Sequence, residues 1–228
     1  MDDSQQRAVQ AASFGAAAAE YARARPTYPD EAVDWLIPPG AARALDLGAG
    51  TGLFTRGLVA RGLAVVAVEP SAEMRAQLVD ALPAVTAIAG TAEQIPLPAN
   101  DVDVVTVAQA WHWVDVERAV PEVARVLRPG GTLGLVWNVR DETVDWVAEL
   151  GRLMHPGSEH DMFSDAPPVG PPFGPIERRD FAWTHVVDRA TVLDLVASRS
   201  YFIVLGQAER DEMLRNVRAL LDTHPALA

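Results

Sequence analysis

The stretch Leu45-Asp46-Leu47-Gly48-Ala49-Gly50-Thr51-Gly52 decides the fold. An apolar strand ends at Leu47, a turn of small residues follows, and a helix-compatible stretch covers 53–61. Glu69, seventeen residues beyond Gly52, closes a second apolar run over 63–68. A strand, a glycine turn, a helix and an acid at the tip of the next strand form a nucleoside-binding arrangement. Glycine lets main chain approach a ligand with no side chain in the way. The acid can accept two hydrogen bonds from a ribose diol, and charge-assisted bonds of this kind contribute roughly 1.5–3 kcal/mol each. The glycines fall at 48, 50 and 52, whereas the dinucleotide pattern wants its third one place later, where Leu53 stands. That spacing argues for a ligand without a pyrophosphate.

Outward from this turn, strands and helices alternate. The pattern predicts strands over 43–47, 63–68, 84–89, 102–108 and 132–138, with helices over 52–61, 71–81 and 115–127. Arg128-Pro129-Gly130-Gly131 reads as a tight turn. Apolar runs without polar alternation suit strands covered on both faces. The expected fold is therefore α/β, a Rossmann-like, doubly wound and mostly parallel sheet with right-handed crossovers. An alanine-rich helix is expected over 5–25 and a second over 31–37 with Asp30 as its N-cap. Beyond 140 come a helix over 141–154, a proline-rich loop over 155–177, a sixth strand over 179–187, and helices over 189–200 and 207–222. The whole reads as one domain, 1–228: an N-terminal helical lid (1–40), a cofactor-binding core (41–140) and a substrate-side region (141–228).

Bulk composition narrows the function. The chain has 228 residues, 49% of them apolar, which is enough for a substantial core. It has no cysteine, so neither a disulfide nor a thiolate metal site is available. The formal charge of −12 repels phosphate-rich partners, so nucleic acid is not expected. No apolar run reaches the ~18 residues of a membrane span, and the polar, acidic N-terminus does not read as a signal peptide. A cytoplasmic monomer or homodimer is the expectation. His155 and His160, with Asp161 beside the latter, do not share a helical face, so no metal site is expected.

Four segments together resemble the class I S-adenosylmethionine-dependent methyltransferases. They are LDLGAGTG (45–52), VVAVEPSAEM (65–74), GTAEQIPLPANDVDVVTVAQAWHWVD (90–115) and LRPGGTLGLVWN (127–138). FGAAAAEYARARPTYP (14–29) and AWHW (110–113) resemble a narrower, small-molecule branch that includes ubiquinone/menaquinone-biosynthesis and trans-aconitate-type enzymes. The family ends with a seventh, antiparallel strand. No segment here reads as one, and the sequence stops soon after a helix, at His224–Ala228.

The resemblance implies S-adenosyl-L-methionine as cofactor and a small-molecule acceptor with an oxygen or carbon nucleophile, a carboxylate among the candidates. It implies that Gly48, Ala49, Gly50, Thr51 and Gly52 lie against the methionine portion, with Asp46 supporting the turn. Glu69 would bind the ribose hydroxyls, and Pro70 and Met74 would pack near the adenine. Thr91, Ala92 and Glu93 would surround the adenine ring. Gln109, Ala110 and Trp111 would line the crevice between the first and fourth strands, where strand order reverses. Tyr21 and Arg25, one helical turn apart, would cap the cofactor's carboxylate or the substrate. Trp113, Tyr28 and Asn138 are substrate-side candidates, and His112 is the candidate general base. Two other readings stay open on the residues: a nicotinamide-dependent oxidoreductase, and a cofactor-binding protein without turnover.

Overall fold

The computed structural model describes residues 25–154 and 167–227, apart from the side chain of Ser200. Tyr21, nearly all of the helix expected over 5–25, and His155, His160 and Asp161 lie outside the described residues. Two compact units divide the rest: 26–137 with 167–184, and Arg25 with 138–154 and 185–227.

The first unit is the sheet. After helix α1 (Asp30–Leu36), strands β1 (Arg43–Leu47), β2 (Ala64–Val68), β3 (Thr86–Ile88), β4 (Val102–Ala108) and β5 (Leu127–Val136) run parallel. Their order is β3-β2-β1-β4-β5, so strand order reverses between β1 and β4, as expected. Helices α2 (Leu53–Ala60), α3 (Ala72–Ala81) and α4 (Val116–Val126) make the crossovers. Leu45, Val68, Val102, Val104 and Val105 are fully buried, as uninterrupted apolar strands require. Helix α4 shows the matching stripe, burying Ala119, Val120, Val123 and Val126 at helical spacing. Ser71 caps α3 by accepting from the Met74 N–H at 3.3 Å.

At the amino ends of the strands, one carboxylate ties three elements. Asp103 accepts from the main-chain N–H groups of Ala42 and Arg43, both at 2.9 Å, and from Arg128 at 2.6 Å. These donors hold its carboxyl well below the usual range, at about 2.

Four expectations need correction, three of them here and one in the helical unit. Arg128–Gly131 is not a free turn but the irregular start of β5. Leu127 pairs with Val102, the register slips before Val104, and Gly130 takes φ +81°. A Cβ on Gly131 would meet the Asp103 carbonyl oxygen at 3.0 Å, so this close strand approach requires glycine. Residues 179–187 form no strand: the segment is irregular, with Val186 89% exposed. A strand needs a ladder partner, and among the described residues no strand pairs with this segment; the sheet there has five strands. Asp30 is the first residue of α1 rather than its cap, a place taken by Pro29.

The second unit is helical. It contains α5 (Asp145–Met154), α6 (Arg189–Ala197), α7 (Ser200–Val204) and α8 (Gln207–Thr223). Leu150, Met154, Val192, Val196, Phe202, Val217, Leu220 and Leu221 form its own core. Asp188 opens α6 by accepting from the Thr191 N–H at 2.8 Å. The single helix expected over 189–200 instead breaks at Ser198 and Arg199 before α7 begins.

Candidate functional site

The site is built where β1, β2 and β4 end. Leaving β1, the chain needs left-handed main chain three times: Gly48, Gly50 and Gly52 have φ of +69°, +57° and +84°. Only glycine enters that region without strain. Gly48 and Ala49 donate to the Val68 carbonyl at 2.8 and 3.2 Å, tying the turn to the end of β2. A Cβ on Gly48 would lie 2.9 Å from the Ala110 Cβ, so the turn also abuts the loop leaving β4. A Cβ on Gly52 would meet Leu78 at 3.0 Å, which makes that glycine a packing requirement of α3.

Glu69 stands at the tip of β2, 7% exposed. Its carboxylate accepts from the Gly50 N–H and from the Ser71 N–H, both at 2.9 Å. Burial raises its pKa, and the two main-chain donors oppose the rise. Each oxygen keeps a further lone pair for a ligand hydroxyl. Met74 is buried, its sulfur 3.8 Å from where a Cβ on Gly50 would stand, while Pro70 is exposed.

Asp46 lies beneath the turn and is fully buried. Thr55 donates to it at 2.6 Å and Thr106 at 3.2 Å. Burial pushes its pKa up to about 6, helped by the charge of Glu69, and the threonine hydroxyls pull against that rise. Asp46 thus joins the start of α2 to β4 through two hydroxyl groups. Thr55 and Thr106 were missed in the sequence; nothing in their spacing marks them.

The β4 end supplies the other wall. Gln109 takes φ +60°, a left-handed conformation costly for a side chain with a Cβ and typical of functional loops. Trp111 is 1% exposed, sits in the sheet core, and aims its indole N–H at the Pro168 carbonyl, 3.4 Å away. The His112 ring packs against Trp113 at a tilt of 47°, with centroids 4.6 Å apart. Burial holds the His112 pKa down at about 4, and its Nδ1 is buried with no hydrogen-bond partner. Ala92 is buried, Thr91 is exposed, and the Glu93 carboxylate accepts from the Asp115 N–H at 2.8 Å, just before α4. Tyr28 packs edge-on against Phe54 of α2 at 5.0 Å. Arg25 and Asn138 belong to the helical unit, where Arg25 donates to Ser198.

These residues fit an adenosyl cofactor. The Thr51 hydroxyl is buried in the glycine turn with no hydrogen-bond partner. A buried carboxylate with spare lone pairs stands beside it, and the turn presents main chain stripped of side chains. A separate cavity of about 260 Å³ is lined by Ile37–Ala41, Asp34, Arg61 and Leu63. It lies at the opposite, amino ends of β1 and β2 and takes no part in this site. Among the described residues no cluster could hold a metal ion, and no helix is long and apolar enough to cross a membrane.

A parallel sheet with a glycine turn and a strand-tip acid at its switch point defines a nucleoside-binding α/β protein. Comparison with known proteins gives the family. A methyltransferase-domain family model matches residues 45–135. An uncharacterized methyltransferase of Mycobacterium tuberculosis is 56% identical over 95% of this chain and 88% of its own length. Two solved structures share the fold over most of the chain. One, from Anabaena variabilis, is described as a methyltransferase of an antibiotic biosynthesis pathway, with 25% identity, TM-score 0.62 and 85% of each chain covered. The other, from Anaeromyxobacter dehalogenans and described as a type II methyltransferase, has 28% identity, TM-score 0.60 and coverage of 87% and 90%. The chain belongs to the class I S-adenosylmethionine-dependent methyltransferases.

Proposed function

We propose that this methyltransferase acts on a small molecule bearing an oxygen or carbon nucleophile, a carboxylate being the best match. The observation that carries the cofactor half of this reading is Glu69: a nearly buried carboxylate, held by two main-chain N–H groups, beside a turn that only glycine can make. Bound S-adenosylmethionine supplies an electrophilic methyl group. The protein then has to orient the reactants and exclude water, since no chemistry at the methyl carbon requires a protein nucleophile.

In this reading Glu69 accepts from the ribose hydroxyls. Gly48, Ala49, Gly50, Thr51 and Gly52 line the amino-acid portion, with the Thr51 hydroxyl as a donor or acceptor there. Met74, Pro70, Thr91, Ala92 and Glu93 edge the adenine. Asp46 keeps the turn in shape through Thr55, while Trp111 braces the β4 loop from the core. Gln109 and Ala110 form the wall opposite the turn. Trp113, Tyr28 and Asn138 remain the substrate-side candidates.

His112 favours an acceptor that is already ionised. With its pKa near 4 it is neutral at physiological pH, able to accept a hydrogen bond but a weak base. A carboxylate nucleophile needs no proton removed, and the chain's net charge of −12 disfavours a nucleic-acid acceptor. The His112→Ala variant is expected to raise KM more than it lowers kcat, with an unchanged pH profile between pH 6 and 8. A collapse of kcat with a shifted profile would restore the base role.

Titration with adenosylhomocysteine tests the cofactor site. Glu69→Ala should weaken binding by at least about tenfold, the equivalent of about 1.4 kcal/mol, with Glu69→Gln intermediate and NAD unbound in every case. Affinity like that of the wild type in Glu69→Ala would remove the ribose role.

A further inference from the structure

One segment of the sheet unit lies far from the strands in sequence. Residues 167–184 group with 26–137, and the stretch 167–175 has proline at five of its nine positions. Proline fixes φ and brings no N–H, so such a stretch has a set shape and is anchored chiefly through its carbonyl groups. The Phe173 N–H closes a turn on the Gly170 carbonyl at 3.2 Å. The Pro168 carbonyl accepts from the indole N–H of the buried Trp111 at 3.4 Å, across 57 residues of sequence. Val169 and Phe173 pack against the core cluster that contains Trp111. Both stay half-buried, while Gly170, Pro171 and Pro172 between them are exposed.

This packing lies beside the switch point. The Gln109 N–H donates to the Val136 carbonyl at 2.9 Å, which ties the loop leaving β4 to the end of β5. Ala110 and Trp137, the latter directly after β5, are half-buried against the same cluster. A Cβ on Gly48 would lie 2.9 Å from the Ala110 Cβ, so this loop also abuts the cofactor turn. Ala110, Trp137, Val169 and Phe173 thus bring apolar surface to the carboxyl ends of β4 and β5, next to that turn. On the same loop His112 carries a buried Nδ1 with no hydrogen-bond partner. A buried polar atom left unpaired is unfavourable, and a ligand that reaches it removes the penalty. Apolar side chains with few polar groups among them are the usual lining of a small-molecule site.

We infer that Val169 and Phe173 select the methyl acceptor, which sets an alkyl or aryl body against these two side chains and carries a single polar head. Resting on the small-molecule reading above, this selection narrows it: an apolar monocarboxylate fits and a compact diacid does not.

Calorimetric titration of the intact protein, saturated with adenosylhomocysteine, tests this with hexanoate, phenylacetate, acetate and succinate. Hexanoate or phenylacetate should bind at least about tenfold more tightly than acetate and succinate, equivalent to about 1.4 kcal/mol. The tighter of the two tells an alkyl from an aryl body. Phe173→Ala should weaken that acid about tenfold, and Phe173→Leu, which keeps an apolar side chain, should weaken it less. Val169→Thr, nearly unchanged in volume, should cost severalfold and provides a second measurement should Phe173→Ala prove unstable. Adenosylhomocysteine should bind all three variants as it binds the wild type, since the glycine turn and Glu69 are untouched. The proposal is overturned if neither apolar acid binds at millimolar concentration, or if acetate or succinate binds as tightly. It is also overturned if Phe173→Ala and Val169→Thr both bind the acid as the wild type does, or if they lose adenosylhomocysteine and acid alike. Transfer of a labelled methyl group separates this selection from the carboxylate reading. Apolar acids that bind through Phe173 and are never methylated remove that reading and leave the selection standing. Methylation of acetate that Phe173→Ala leaves unchanged does the reverse.

Discussion

A single carboxyl group under the glycine turn sets a measurable pH signature. Asp46 is fully buried and titrates near 6, because burial outweighs the Thr55 and Thr106 hydroxyls. Keeping it ionised at neutral pH costs on the order of 3 kcal/mol. The native state binds this proton at a pH where the unfolded chain has already released it. Its contribution to stability is therefore most favourable below about pH 4, declines as pH rises to about 6, and is constant above. Asp46→Asn removes that decline while keeping an acceptor for one threonine. The stability of Asp46→Asn relative to the wild type should be higher at pH 7 than at pH 4 by roughly 2 kcal/mol, read from urea denaturation at both values. His112 acts in the opposite sense. Its pKa is depressed to about 4, so the unfolded chain takes up the proton first, and stability falls as pH drops from about 6.5 to about 4. Substituting His112 with Ala should therefore steepen the acid-side gain that Asp46 provides. Equal pH slopes in the wild type and both variants would contradict both assignments.

At the scale of elements, the turn after β1 separates two roles of glycine. Gly40 and Gly48 both have positive φ, +82° and +69°, so an alanine at either meets a backbone penalty of roughly 1–2 kcal/mol. They differ in their surroundings: a Cβ on Gly40 meets nothing within 4 Å, whereas on Gly48 it meets Ala110 at 2.9 Å. Both variants should melt earlier. Gly48→Ala should in addition weaken adenosylhomocysteine by about tenfold or more, since the loop leaving β4 must move away, while Gly40→Ala should leave affinity unchanged. Equal affinities would mean that the β4 loop yields without cost to the site. The same elements show what the sequence can and cannot disclose. Strand positions and the turn are legible because burial on both faces and positive φ leave local marks, as at Val102–Val107 and Gly48–Gly52. The start of β5 is not, because the bulge at Gly130 depends on the partner strand β4. Residues 179–187 mislead for the same reason: alternation suits a strand, but only a neighbour makes one. Thr106 reaches Asp46 across 60 residues and Arg25 reaches Ser198 across 173, so neither pairing leaves a local signal.

The whole molecule contains two units with separate cores, one around Leu45, Val105 and Trp111, the other around Leu150, Val196 and Leu221. Units with their own cores open with their own free energies, and a ligand raises the opening free energy of the unit that binds it. At a hundred times its dissociation constant a ligand adds about 2.7 kcal/mol, well within reach of amide hydrogen exchange. Adenosylhomocysteine should therefore slow exchange at the strand tips, over 47–52, 69–74 and 109–113. Protection by adenosylhomocysteine confined to the helical segments would remove the glycine turn from cofactor binding altogether.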